Sequence, residues 1–367
     1  MRRFFTFLAM LASAACTSPH EEPLVFRQVW RFDAGEAPDG MDGRIRRIGY
    51  LPLEQTPEAD FRKIDKLVCR NGRIYVGDFF SKRIIAFDTA GHHLFTVDRH
   101  GRGPGEYLEI KSFAADDKHI HLLDNFSRRM HSYDCLTGAY TGSKPLPVVA
   151  WDLETLADGG FLLAFVPLQG GAMAQAQPPY RIFITDSDLN IVRMLFPYEE
   201  GEREPLARTT YLTASGDSVV FSSFRFDGFT LFDRSDPERF FHTAIDFDRK
   251  IPVRDRFDAR ALMSDRYTYL AQTPVLGGGC AALDICVGEW IETYLYDSGS
   301  ERFLANSPQT AAERLFPPLA YCEGRLVSLL PNERYTELVA RGFPRAAPEV
   351  ERRILADEAV LLLYDLF

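Results

Sequence analysis

Three histidines carry the plainest chemistry in this sequence. His119 and His121 are two residues apart in the run Lys-His-Ile-His-Leu-Leu-Asp. The alternation of a strand would put both imidazoles on one side. His131 follows on what reads as the next strand, and the set could chelate a divalent metal. The repeat described below aligns His121 and His131 with Tyr75 and Ile85, which are ordinary packing residues. The expectation is therefore no metal and no cofactor. Asp78 and Asp124 could line a calcium site, but an Asp directly after a strand usually bonds its own backbone and forms a turn. Gly-x-Ser-x-Gly, His-Glu-x-x-His and Ser-x-x-Lys are all absent, so no catalytic residue is assigned. The loop Arg99–Tyr107 (RHGRGPGEY) has the glycines of a phosphate cradle. It lacks Gly-Lys-Ser/Thr and runs into the strand-like Ile110–Ala114 instead of a helix. Its glycines are expected to serve a tight crossing, and Gly103→Val to be destabilising if positive φ is needed there.

The elements that would position these residues are short strands. Ile64–Val68, Arg73–Val76, Arg83–Phe87 and His93–Val97 are rich in β-branched and aromatic residues and separated by turns. Asn71-Gly72 is a type I′ hairpin signal. No run has the length or spacing of a helix here. One such sheet cannot bury both apolar faces, so copies must stack. Ile120–Asp124 repeats Ile74–Asp78, and Arg129–Asp134 repeats Arg83–Asp88, both about 46 residues on, near the period of a propeller blade. Blade one is read as Ile64–Val97, two as Ile110–Thr141, three as Val149–Leu195, four as Tyr211–Phe247 and five as Tyr267–Leu304. Gln169–Pro179 reads as a low-complexity insertion in blade three. Blade six starts at Leu319, contains a two-piece helical stretch within Asn332–Asp357, and supplies only three strands before the C-terminus. The spare strand in Arg44–Leu53 is expected to complete it and close the ring. The fold expected is an all-β, six-bladed β-propeller over residues 44–367.

Composition narrows the function classes. Net charge is −10 and hydrophobic residues make up 46%, which supports a large core and argues against nucleic-acid binding. Arg2-Arg3, the apolar run Phe4–Ala12 and the small residues Ser13–Ala15 precede Cys16. The apolar run is too short to span a bilayer. Residues 1–16 thus read as an export signal ending at a lipidated Cys16, and residues 17–43 as a tether that includes a strand at Leu24–Phe32. The remaining cysteines are Cys69, Cys135, Cys280, Cys286 and Cys322. Cys69 and Cys322 occupy matching places in different blades and are expected to lie too far apart to bridge. Cys280 and Cys286 could pair across a hairpin.

IYVGDFFSKRIIAFDTAGHHL resembles an NHL-type propeller blade. With GRGPGEY after it, the C-terminal LLLYDL and the start just described, the chain resembles the six-bladed β-propeller lipoproteins common in Bacteroidota. The resemblance implies a fold and a cell-envelope location, and carries no catalytic residue.

In such a ring the second-to-third turns and the blade-to-blade loops emerge on one face. That face would gather Phe79, Phe80, Lys82, Arg99, His100, Arg102, Glu106, Tyr107, Phe126, Arg128, Arg225, Phe226 and Trp290. Loops carrying aromatic and Arg residues are typical recognition surfaces. The function expected is a binding module, on one ring face or in the channel, for a glycan, a peptide or an envelope protein. The alternatives are a propeller hydrolase or lyase acting on carbohydrate or lactone, and a purely structural part of an envelope complex.

Overall fold

The computed structural model describes residues 26–38, 40–168, 177–199 and 201–367. The expected signal, Cys16 and most of the 169–179 insertion lie outside the described residues. Two strands come first, β1 (Phe26–Phe32) and β2 (Ile45–Pro52). Blade one is β3 (Lys66–Arg70), β4 (Arg73–Asp78), β5 (Arg83–Asp88) and β6 (His93–Val97). Blade two is β7 (Ser112–Ala115), β8 (His119–Asp124), β9 (Arg129–Asp134) and β10 (Tyr140–Pro145). Blade three is β11 (Asp152–Thr155), β12 (Phe161–Ala164), β13 (Tyr180–Thr185) and β14 (Ile191–Pro197). Blade four is β15 (Leu212–Ser215), β16 (Ser218–Phe221), β17 (Gly228–Asp233) and β18 (Phe240–Phe247). A short helix α1 (Ala259–Leu262) leads to blade five, whose inner strand is split into β19 (Thr268–Leu270) and β20 (Val275–Gly277), both paired to β21 (Cys280–Val287). β22 (Trp290–Asp297) and β23 (Arg302–Leu304) complete it. Blade six is β24 (Pro318–Cys322), β25 (Arg325–Leu329) and, after α2 (Tyr335–Ala340) and α3 (Pro348–Leu355), β26 (Val360–Leu366).

β2 lies outermost on blade six, antiparallel to β26 from Ile45 opposite Leu366 to Pro52 opposite Val360. Both ends of the chain thus share one sheet, and the ring has no open seam. The hairpin at Asn71-Gly72 has φ of 52° and 67°, the pair of positive values that a type I′ turn requires.

The core is divided among the seams between blades. Strand alternation sends Tyr75 toward blade two, into a cluster with Phe113, Leu122 and Tyr133. Its neighbours Ile74 and Val76 point the other way, against Leu361 and Val327 of blade six. Four further seams repeat this arrangement around the ring. Each blade is therefore apolar on both faces and cannot be stable without its neighbours.

Three expectations from the sequence need correction. β1, read as part of a tether, runs parallel to β18 as a fifth strand of blade four. Its Trp30 stacks on Tyr296 of blade five at 3.8 Å between ring centroids. Cys69 and Cys322 are bonded, with Cα atoms 5.6 Å apart. They lie on β3 and β24, the innermost strands of blades one and six. Ring closure makes these strands neighbours at the axis, where equivalent positions converge to within disulfide reach. Cys280 and Cys286 are buried free thiols. One straight strand, β21, carries both, and six residues of extended chain separate them by roughly 20 Å.

Candidate functional site

The upper face, which carries the second-to-third turns, is built by a repeated carboxylate device. Asp78 Oδ1 accepts from Ser81 N (3.0 Å), and its Oδ2 accepts from Arg62 N (2.8 Å) in the segment entering the blade. Asp124 does the same one blade on, accepting from Ser127 N (3.0 Å) and Leu108 N (2.8 Å). Burial pushes the Asp78 carboxyl up, but the N–H groups of Ser81 and Arg62 outweigh it and hold it below the usual carboxylate range. These aspartates are turn builders, the role expected of an Asp directly after a strand. Lys82 and Arg128, four residues after each Asp, both take positive φ (58° and 57°). The two turns are copies, and each presents its second residue outward. Phe80 is 73% exposed and Phe126 64%.

Most of the expected face residues meet here. The Arg62 guanidinium lies 4.6 Å from the Phe80 ring centroid. Lys82 Nζ donates to His100 Nε2 at 2.6 Å. Arg99, Arg102 and Arg128 are exposed and pair with no carboxylate among the described residues. Phe79 is half-buried, edge-on to Phe113. Glu106 folds back to accept from Gly103 N at 2.7 Å. Tyr107 is fully buried, and its hydroxyl donates to Lys82 O at 2.6 Å, holding the loop from inside. The positive φ in this loop belongs to Gly105 (75°), where a Cβ would also come within 2.7 Å of Tyr140. Gly103 is not in that region, and a Cβ there meets only the movable Glu106 carboxylate. Three expected residues sit elsewhere on the ring. Arg225, on blade four, is ion-paired to Glu202, with Phe226 half-buried beside it. Trp290 is 74% exposed on blade five, two blades from Phe80.

The axis is filled by an ion cluster that sequence reasoning missed. Lys66 Nζ reaches Asp152 Oδ1 at 2.8 Å, Glu154 Oε1 at 3.2 Å and Leu153 O at 3.0 Å. Asp152 also accepts from Ser112 Oγ (2.5 Å) and, through Oδ2, from Tyr211 N (2.8 Å) and Leu212 N (2.9 Å). One carboxylate thus ties blades one, two, three and four together. Glu154 takes a second cation, Arg234, at 3.0 Å. Lys66, Asp152 and Glu154 are all buried. The space left beside them, toward Leu319 and Tyr321, is about 30 Å³, room for about one water. Only the placement of polar residues at the starts of inner strands (Lys66, Ser112, Asp152) could have signalled this.

The lower face carries open clefts, one of about 440 Å³ over the Cys69–Cys322 bond and one of about 420 Å³ between blades two and three. His119 and His121 line the second. His131 does not join them. It stands opposite Leu122 on β8, and so projects from the other face of the sheet. There it is buried, 3.8 Å from Asp124, and burial lowers its pKa.

Six sheets closed on themselves in a ring define the chain as a six-bladed β-propeller. The protein belongs to the DUF5128 family, described as a 6-bladed beta-propeller, whose family model matches residues 33–271. Among solved structures it is similar to a Bacteroides fragilis protein inferred to be exported, with TM-score 0.72 and 14% identity over 92% of this chain and 99% of that one. It is also similar to a DUF4221 family member from Bacteroides vulgatus, with TM-score 0.50 and 10% identity over 88% of this chain and 97% of that one. At such identities the likeness shows the fold alone. No curated protein matches the chain. No helix among the described residues is long and apolar enough to cross a membrane.

Proposed function

We propose that the protein is an exported, envelope-anchored binding module whose upper face at blades one and two receives an acidic segment of a partner protein. The observation that carries this reading is the pair Phe80 and Phe126, exposed at the same point of two consecutive, carboxylate-braced turns. Exposed aromatics on rigid turns, ringed by Arg62, Lys82, Arg99, Arg102 and Arg128, have the composition of an interface. The rest of the chain is net negative, so this cationic patch would orient an acidic partner. A buried ion cluster at the axis, with only about 30 Å³ beside it, argues against a glycan threading the channel. It also argues against a propeller hydrolase working there, because Lys66 and Arg234 already neutralise the converging carboxylates.

The test compares three immobilised proteins incubated with envelope extract: wild type, Phe80→Ala/Phe126→Ala, and the lower-face control Arg70→Ala/Arg325→Ala. Truncating two hot-spot aromatics is expected to weaken the specific interaction about 30-fold or more, while the control retains it. Identical capture by all three would refute the reading.

The export part of the proposal rests on the sequence of residues 1–16 and on the Cys69–Cys322 bond, since structural disulfides persist in oxidising compartments. The Bacteroides fragilis protein of the same fold is itself inferred to be exported. Mass spectrometry of the mature protein is expected to find Cys16 as the acylated N-terminus. An unacylated N-terminus at any other residue would remove the anchor.

A further inference from the structure

We propose that Asp116, His119 and His121 form a binding site for one zinc-class divalent ion, with a fourth coordination position open to the cleft between blades two and three. The inference is independent of the upper-face reading. The three residues lie at the first-to-second turn of blade two and the start of β8, and one ligand atom from each falls within 4.8 Å of the others. His121 Nε2 is 2.9 Å from Asp116 Oδ2, and His119 Nδ1 is 3.9 Å from Asp116 Oδ1. Tetrahedral zinc with bonds of about 2.0–2.2 Å holds its ligand atoms roughly 3.3 Å apart, so Asp116 and His121 can already share an ion, and the partly exposed His119 ring must turn in toward them from within 4.8 Å.

The surroundings are those of a braced metal site. Asp116 Oδ1 accepts from Lys118 N and His119 N, each at 2.7 Å, which fixes the carboxylate with Oδ2 turned to His121. Ser132 Oγ lies 3.0 Å from His121 Nδ1. An Nδ1–H donated to that oxygen leaves the Nε2 lone pair facing the carboxylate, and two acceptors at 2.9 Å need a proton or a cation between them. Outer partners of this kind orient ligating histidines generally. The competing arrangement reverses both hydrogen bonds, so that Nε2–H donates to Asp116 and no ion is required. The blade itself does not demand these residues. Blade one has Arg70, Arg73 and Tyr75 at the matching positions, and builds the same strands.

The cleft gives the ion access and room. It measures about 420 Å³ and reaches Phe161 of blade three, whose ring meets His121 edge-on at 4.9 Å. Lys144, the cation nearest in this cleft, is drawn away by Asp188 Oδ1 (2.8 Å) and Ser187 O (2.7 Å). One carboxylate against a dication leaves a net positive centre. The open position therefore suits water or an anionic oxygen ligand.

The test uses the full chain in detergent, stripped with chelator, and titrated with Zn²⁺ against a chromophoric competitor. Co²⁺ substitution reports the coordination directly through its visible bands. One Zn²⁺ per chain is expected, together with a Co²⁺ spectrum of low coordination number. His119→Ala, at a partly exposed position, is expected to lose at least about 100-fold in affinity and Ser132→Ala about 10-fold. The metal-free melting temperature of His119→Ala should match wild type. Absence of Zn²⁺ binding by the wild type, or equal binding by wild type and His119→Ala, would overturn the proposal.

Discussion

Replacing Lys66 with methionine is expected to destabilise the protein by about 3–5 kcal/mol, the usual cost of leaving a buried charge without its partner. Methionine roughly keeps the length and apolar stem of the lysine, so the loss reports the ammonium. Without it, Asp152 keeps its donors from Ser112, Tyr211 and Leu212 but sits beside Glu154, two residues on along the same strand, with no cation shared between them. Arg234 still compensates Glu154, which keeps the estimate below the cost of two bare carboxylates. Urea unfolding of wild type and variant measures the difference. A shift under about 1 kcal/mol would mean that solvent reaches the axis and screens the pair. Adding Asp152→Asn to Lys66→Met should recover part of the loss, because the residues are coupled.

The same lysine fixes the sign of an alkaline effect. Burial opposes its charge, but Asp152 and Glu154 outweigh burial and raise its pKa above the ordinary lysine value. A folded pKa above the unfolded value of about 10.4 means that the stabilisation is complete below that pH. It is then lost as pH climbs through the folded pKa. The stability gap between wild type and Lys66→Met should therefore stay constant through neutral pH and shrink only at strongly alkaline pH.

The second large effect belongs to the bond between Cys69 and Cys322. It joins positions separated by 253 residues in sequence, so it restricts the unfolded chain more than a short-range bond would. Reduction, or Cys69→Ser/Cys322→Ser, is expected to cost about 2–4 kcal/mol. The native blades should remain assembled, since β2 stays paired to β26 and the blade six–blade one seam keeps Leu51, Leu67, Val327 and Leu361 packed. Wild type in reductant should unfold like the double variant, and the variant should be indifferent to reductant. Equal unfolding midpoints with and without reductant in the wild type would sink the expectation. The bond also floors the 440 Å³ lower cleft, so a ligand found there would make its affinity redox-sensitive.

The two effects share a cause that local sequence cannot express. What the chain declares by itself is what depends on neighbours a few residues away. Asn71-Gly72 needs positive φ and takes it. Asp78 and Asp124 end strands and cap the turns that follow. The recurrence of Ile74–Asp78 at Ile120–Asp124 announces stacked blades, and the strand surplus at residues 44–53 matches the deficit in blade six. Each of these follows from backbone preference or from the need to bury two apolar faces.

The contents of the axis and the clefts follow no such rule. Lys66 finds Asp152 86 residues on, and Cys69 finds Cys322, because closing a ring brings the innermost strands together regardless of separation along the chain. Parallel addition of β1 to β18 depends on an edge that exists only after blade four has formed. The histidines show the limit at close range. His119 and His121 share a side because a strand alternates, and that was legible. Whether His131 or Asp116 joins them was decided by strand register, which sets His131 opposite Leu122 and turns it to the far face, and by the turn that folds Asp116 back onto His121.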